Sequence, residues 1–311
     1  MADSTYRFER LRDDNMEDLQ FLFREVLGRR FPISYLQQKY NTSFTGVRHL
    51  THIAYHRSQP VSFYGVVPTF FSWNNNRYLA AQTCDYLTLR SHQRKGLHRQ
   101  LSDRAFELMR HHGVTIAFAL MSDDSLASGK KLGWNLLGRM QAFVIPCVTL
   151  PVAKAVRKLR FANTLFDSFT HRVFREHTIP SEDYRNSLIE EGWLGVEYSP
   201  DFFAYKTFTN NFHIKLDGVT AWIKADRNLL VGDLNFKTDQ ALEQAIVRLK
   251  RFAALSGFTE IIIQASSETR LLAHLESRYS SHPSWTIGYI DLGSGLPTEK
   301  LRCNFGDFDT F

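Results

Sequence analysis

The chain has 311 residues, 43% hydrophobic and 23% charged, with 25 Phe and 12 Tyr. That is enough apolar material for one large or two ordinary domains without disulfide or metal staples. A net charge of +6 suits an anionic ligand and does not by itself point to nucleic acid. The polar start is unlike a secretory leader, and the longest apolar run, 142–153, is broken by Pro146 and Pro151 and too short for a span of about 20 residues. Cys84, Cys147 and Cys303 lie far apart, with neither a metal spacing nor a disulfide framework, so the expectation is a cytoplasmic protein with reduced thiols and no membrane span.

In chain order, residues 6–11 alternate as a first strand. Asp13 or Asp14 can cap a helix carrying Leu19, Phe21, Leu22, Val26 and Leu27, with Gly28 near its end. A short helix is expected at 35–40, then strands at 48–56, 61–73 and 78–89. Asn74-Asn75-Asn76 is a natural hairpin turn, and Pro68 suggests a bulge or an edge position. His49, His52 and His56 do not read as a metal set, because residues 49 and 52 of a strand point to opposite faces.

The stretch from Thr83 to Gly113 is the most informative. A strand candidate runs into the basic turn Gln93-Arg94-Lys95-Gly96-Leu97-His98, and a helix follows at once. Its apolar residues Leu97, Leu101, Ala105, Leu108 and Met109 recur at steps of three and four. The first turn of a helix has unpaired N–H groups and a partial positive charge, so it receives phosphate. Gly96 lets a ligand approach the backbone, and Arg94, Lys95 and Arg99 add charge. After a strand at 114–120 comes a short helical stretch and then Lys130-Lys131-Leu132-Gly133-Trp134, followed by a strand at 136–145.

Residues 152–191 have no strand pattern and carry Lys154, Arg157, Lys158 and Arg160. They read as a helical connector, either a solvated face between two domains or a membrane-surface or partner helix. Residues 192–311 look like a degraded second copy of the first half. Ser34–Lys39 resembles Asp201–Lys206, and a helix at 242–255, a strand at 261–263, a short helix at 268–278 and a strand at 285–292 repeat the earlier order. Where the basic glycine turn would fall there is Asn235-Phe236-Lys237-Thr238-Asp239-Gln240, with no glycine and an acid.

The turn 93–98 resembles the Gln/Arg-x-x-Gly-x-Gly/Ala pyrophosphate loop of the GCN5-related N-acetyltransferase (GNAT) superfamily. Gln93 and Gly96 match, and His98 stands where Gly or Ala is usual. Lys130–Trp134 is similar to that family's Lys-Leu-Gly-aromatic ending, so the resemblance covers residues 5–146. It implies an α/β fold with a mixed central sheet of the GNAT type, here in two tandem copies. The expected domains are 1–150, which binds acyl-CoA, the connector 151–191, and a degenerate acetyltransferase-like domain, 192–311.

The resemblance also implies an acyl-CoA-dependent N-acyltransferase using acetyl-CoA or another acyl-CoA. The backbone of Tyr86, Leu87 and Thr88 would pair with the pantetheine arm, and Gln93, Arg94, Lys95, Gly96, Leu97, His98 and Arg99 would hold the pyrophosphate. The acceptor would be a small-molecule amine, an amino sugar or a peptide, and not nucleic acid. An amine with a pKa near 10.4 costs about 4–5 kcal/mol to hold neutral at pH 7, so a proton acceptor is needed. Asp85 and His98 are the candidates. The family's proton-donating tyrosine falls at Gly129, and its preceding asparagine at Ser122. Ser125, Ser128 or water is then expected to supply the proton. The alternative is a non-catalytic sensor of CoA esters or a scaffold.

Overall fold

The structure, a computed structural model, describes residues 6–311. It divides into two compact units. Unit 1 runs to Leu136 and includes Gly288–Thr298, and unit 2 comprises Leu137–Ile287 and Glu299–Phe311.

Unit 1 begins with β1 (Tyr6–Arg10), α1 (Met16–Leu27) and α2 (Ile33–Tyr40). Asp13 and Asp14 do not cap α1. They sit in a 3-10 turn before it, and Asn15 holds that turn by accepting from the Arg12 N–H (2.8 Å) and donating to the Arg10 carbonyl (3.1 Å). Gly28 ends α1 in the left-handed region, φ +64°, with its N–H on the Arg24 carbonyl. Next come β2 (His52–His56), β3 (Gln59–Trp73) and β4 (Asn76–Thr88). β2 starts four residues later than the pattern suggests. His49 has φ +55°, and its carbonyl is taken by the Arg10 side chain (2.8 Å), which ends the extended run. Asn74 and Asn75, both at positive φ, form the tight turn between β3 and β4. Pro68 sits beyond Phe63, where the β2 ladder ends, so its missing N–H removes no bond to that strand.

Unit 1 continues with α3 (Leu97–His111), β5 (Ile116–Met121) and α4 (Asp123–Lys131). α3 buries Leu97, Leu101, Ala105 and Met109 against Tyr64, Val66, Ala81 and Ala117, the helical spacing that defined it in sequence. Alternation then turns Phe63 and Val67 of β3 to the opposite face of the sheet. The strand order is β1-β2-β3-β4-β5.

The strand at 136–145 exists as β6 (Asn135–Pro146), yet it belongs to the sheet of unit 2. There it pairs antiparallel with β11 (Glu260–Ala265), from Gln141↔Ala265 to Pro146↔Glu260. The connector forms α5 (Val152–Val156) and α6 (Asn163–Phe174), which contribute Ala153, Phe166 and Phe174 to the core of unit 2. Then come α7 (Ser187–Glu190), the two-residue β7 (Gly195–Val196), α8 (Pro200–Tyr205), β8 (Asn211–Leu216), β9 (Val219–Ala225), β10 (Leu229–Asn235) and α9 (Asp239–Leu255). After β11 follow α10 (Arg270–Glu276) and β12 (Ser281–Asp291), whose last residues, from Gly288, return to unit 1 beside β5. The Leu292 N–H closes that return on the Thr115 carbonyl (2.9 Å).

The units therefore differ from a linear division at 150 and 191. The chain lends β6 to the later unit and takes part of β12 back. The order β8-β9-β10-α9-β11-α10 in unit 2 repeats β2-β3-β4-α3-β5-α4 in unit 1.

Candidate functional site

β4 pairs parallel with β5 over only three residues, Ala80↔Ile116 to Gln82↔Phe118. β4 runs on to Thr88 and stays paired with β3 as far as Ser62↔Thr88. Past Gln82, then, its β5-side edge has no partner strand among the described residues of unit 1. That edge carries the backbone groups of Tyr86 and Thr88, while those of Leu87 face β3, in register with the Leu89 N–H bond to the Val61 carbonyl.

A bulge sits in this stretch. Tyr64 pairs with Tyr86 and Gly65 with Cys84, which leaves Asp85 as the extra residue at φ +48°. Asp85 holds this strained backbone because its carboxylate is gripped from α2. The buried ammonium of Lys39 makes an ion pair with Oδ2, and the Tyr40 hydroxyl donates to the same oxygen (2.6 Å). Gly65 is required for this arrangement, since a Cβ there would lie 2.7 Å from both the Tyr40 hydroxyl and the Cys84 carbonyl.

The turn after β4 leads to α3 through Gly96, at φ +76°, which occupies the N-cap position with no side-chain cap and no acid in the first turn. The first intrahelical bond is Gln100 N–H to the Gly96 carbonyl (3.1 Å), so the N–H groups of Leu97, His98 and Arg99 have no acceptor within the helix. Gln93, Arg94, Lys95 and Arg99 are exposed, and Leu97 is buried. Arg94 has φ +60°, so two positive-φ residues shape the turn.

His98 turns inward. Its Nδ1 lies 2.8 Å from the Ser128 hydroxyl of α4, and its ring packs on Tyr86 (4.9 Å) and Tyr64 (5.5 Å). Burial lowers its pKa, which keeps the imidazole neutral at neutral pH. Nε2 is buried with no hydrogen-bond partner among the described residues. Tyr64 and Tyr86 stack at 4.7 Å, and the Tyr86 hydroxyl lies 2.7 Å from Thr83 Oγ1. An imidazole and several hydroxyls thus converge on the last part of β4, a set able to carry a proton.

Ser125 does not join them. Its hydroxyl donates to the Ser122 carbonyl one turn back (2.9 Å). Gly129 faces the core of unit 1, where a Cβ would stand 2.9 Å from Met121 Sδ, so the place of a tyrosine side chain is filled by Met121.

Sequence reasoning missed Lys39, Tyr40, Tyr64 and Gly65. Only the likeness of Ser34–Lys39 to Asp201–Lys206 touched this set, and it marks a buried lysine in each unit.

In unit 1, then, a strand parts from its parallel neighbour ahead of a bulge and leads into an uncapped basic helix N-terminus, within a mixed-sheet α/β fold. Solved structures share that fold. A GCN5-related N-acetyltransferase from Kribbella flavida is 12% identical, with 93% of this chain matching 72% of that one at a TM-score of 0.62. A GCN5-related N-acetyltransferase from Anabaena variabilis is 10% identical, with 92% matching 73% at 0.55. Saccharomyces cerevisiae N-myristoyltransferase with bound myristoyl-CoA is 8% identical, with 93% matching 83% at 0.57. No family model and no curated protein sequence matches the chain. The fold is that of the GCN5-related N-acetyltransferases.

Proposed function

We propose that the protein is an acyl-CoA-dependent acyltransferase that moves acetyl from acetyl-CoA to an amine, and that unit 1 alone binds the cofactor. One observation carries this reading. The uncapped, acid-free N-terminus of α3 directly follows the open, bulged end of β4. The pyrophosphate would sit on the N–H groups of Leu97, His98 and Arg99, with Arg94 and Lys95 alongside. The pantetheine amides would pair with Tyr86 and Thr88 as an added strand does. The likeness to acetyltransferases and to an N-myristoyltransferase supports the same class of cofactor.

In the reaction the amine nitrogen attacks the thioester carbonyl, the C–S bond breaks, and the thiolate takes up the proton the amine releases. His98 is neutral and bonded to Ser128, so it can accept and pass on that proton. Asp85 is tied to Lys39 and Tyr40 and so is better suited to fixing the bulge than to acting as the base. The core position of Gly129 favours a second reading, a CoA-ester sensor without turnover.

Calorimetry of the full chain with acetyl-CoA, followed by assay of released thiol, tests both. We expect one cofactor per chain and thiol release with an amine, amino sugar or peptide. Two cofactors per chain would overturn the single-site claim, and none would overturn the reading. Binding without thiol release across such a panel would favour the sensor.

A further inference from the structure

We infer that the α5–α6 segment is a surface that seats the protein on an anionic lipid bilayer. Eight of the eleven exposed large apolar side chains among the described residues lie between Val144 and Phe169. In α6 the inward residues Phe166, Thr170 and Phe174 recur at steps of four and are buried. The opposite stripe is also apolar. Leu165 (74% exposed) and Phe169 (46%) lie on it and lead to Arg172, and Phe161 (84%), in the 3-10 turn just before the helix, extends it. A helix facing only water would carry polar residues there. The preceding loop adds Val148 (100%) and Leu150 (76%), and Thr149 ties it to the Ala254 carbonyl (2.8 Å) next to exposed Leu255.

Charge selects the occupant. Residues 144–175 hold six Lys or Arg against one carboxylate, Asp167, which is five of the six net positive charges of the whole chain. Asp167 is itself held by Arg157 and by the Asn210 amide (2.7 Å). Lys158, Arg172 and Arg175 are exposed with no ion-pair partner among the described residues. An apolar stripe rimmed by unneutralised cations is the pattern of a segment lying in a lipid headgroup layer. A two-fold self-contact would bring this excess of positive charge against itself, which disfavours a second copy. No helix among the described residues is long and apolar enough to cross a membrane, so the contact is peripheral.

The test is co-sedimentation of the full chain with vesicles of phosphatidylglycerol mixed into phosphatidylcholine, against phosphatidylcholine alone. Binding is expected only to the anionic vesicles, and it should be largely lost at about 0.5 M salt. Lys158→Glu with Arg172→Glu should weaken it about 30-fold or more. Leu165→Ser with Phe169→Ser, which leaves the charge intact, should weaken it at least about tenfold. Absence of vesicle binding, or equal binding to the two vesicle types, would overturn the inference. So would a wild-type dimer in sedimentation velocity that Leu165→Ser with Phe169→Ser dissociates. If a variant fails to fold, the lipid-charge and salt dependence of the wild type decides alone.

Discussion

In unit 1 the pairing of β4 with β5 ends at Gln82, and α3 begins at Leu97, after the N-cap Gly96, with its first-turn donors unspent. In unit 2 the pairing of β10 with β11 likewise lasts three residues, Leu229↔Ile261 to Val231↔Ile263, and a bulge follows at Gly232. There the chain closes its own opening. The Phe311 ring packs over Gly232, so closely that a Cβ would lie 2.6 Å from it, and Cys303 bonds Ser266 just after β11. α9 is capped by Thr238, whose hydroxyl accepts from the Ala241 N–H, and Asp239 adds an acid to its first turn. Both units bury a lysine. Lys39 goes to the bulge carboxylate of Asp85, and Lys206 to the Phe308 carbonyl of the closing segment. One framework can thus leave the split open or seal it into a core, and the cap residue and the occupant of the split mark the difference.

The largest effect should come from breaking the grip on the bulge of unit 1. Lys39→Ala leaves Asp85 a poorly compensated charge, and we expect a loss of about 3–5 kcal/mol in urea unfolding, partly restored by adding Asp85→Asn. Next is the helix start. Gly96→Glu places a carboxylate and a strained residue where the pyrophosphate would sit. Acetyl-CoA affinity by calorimetry should fall at least about 100-fold with secondary structure retained, and wild-type affinity would place the site elsewhere. In unit 2, Thr238→Gly with Asp239→Gly removes the cap and acid of α9, and no second cofactor site should appear. Gly129→Tyr forces a ring against Met121, so denaturation should show a loss of about 2–3 kcal/mol and thiol release should not rise.

The smallest effect concerns the closing segment. Burial raises Asp307 to about 7 and Asp233 to about 6. A carboxyl with a raised folded-state pKa holds its proton better folded than unfolded. Its contribution is therefore most favourable below about pH 4 and declines as pH rises towards 7. The stability of the wild type relative to Asp307→Asn should fall by about 2 kcal/mol between pH 4.5 and 6. A flat difference would show that Asp307 is ionised in the folded protein across this range, so that its pKa is not raised.

The helix and turn at 93–111 were legible because the basic turn, its glycine and the apolar spacing are local. The strand at 136–145 was legible as a strand, but period-two alternation does not say which sheet a strand joins. The Lys39–Asp85 pair spans 46 residues and leaves no local trace. Asp85 could be picked out as a carboxylate on the right strand, but the partner that redefines it could not. Gly129 was placed correctly on the short helix. Its burial depends on Met121, a neighbour that helix periodicity alone does not identify.

Because β6 leaves unit 1 and part of β12 returns to it, neither unit is a continuous piece of chain. On the ribosome, the first unit cannot complete its sheet until residues 288–298 have emerged, long after its helices have formed. Contacts of such high sequence separation slow folding and prolong the exposure of an unpaired strand edge. The nascent protein is therefore expected to lean on chaperones, and cutting it anywhere between 137 and 287 should disable both units.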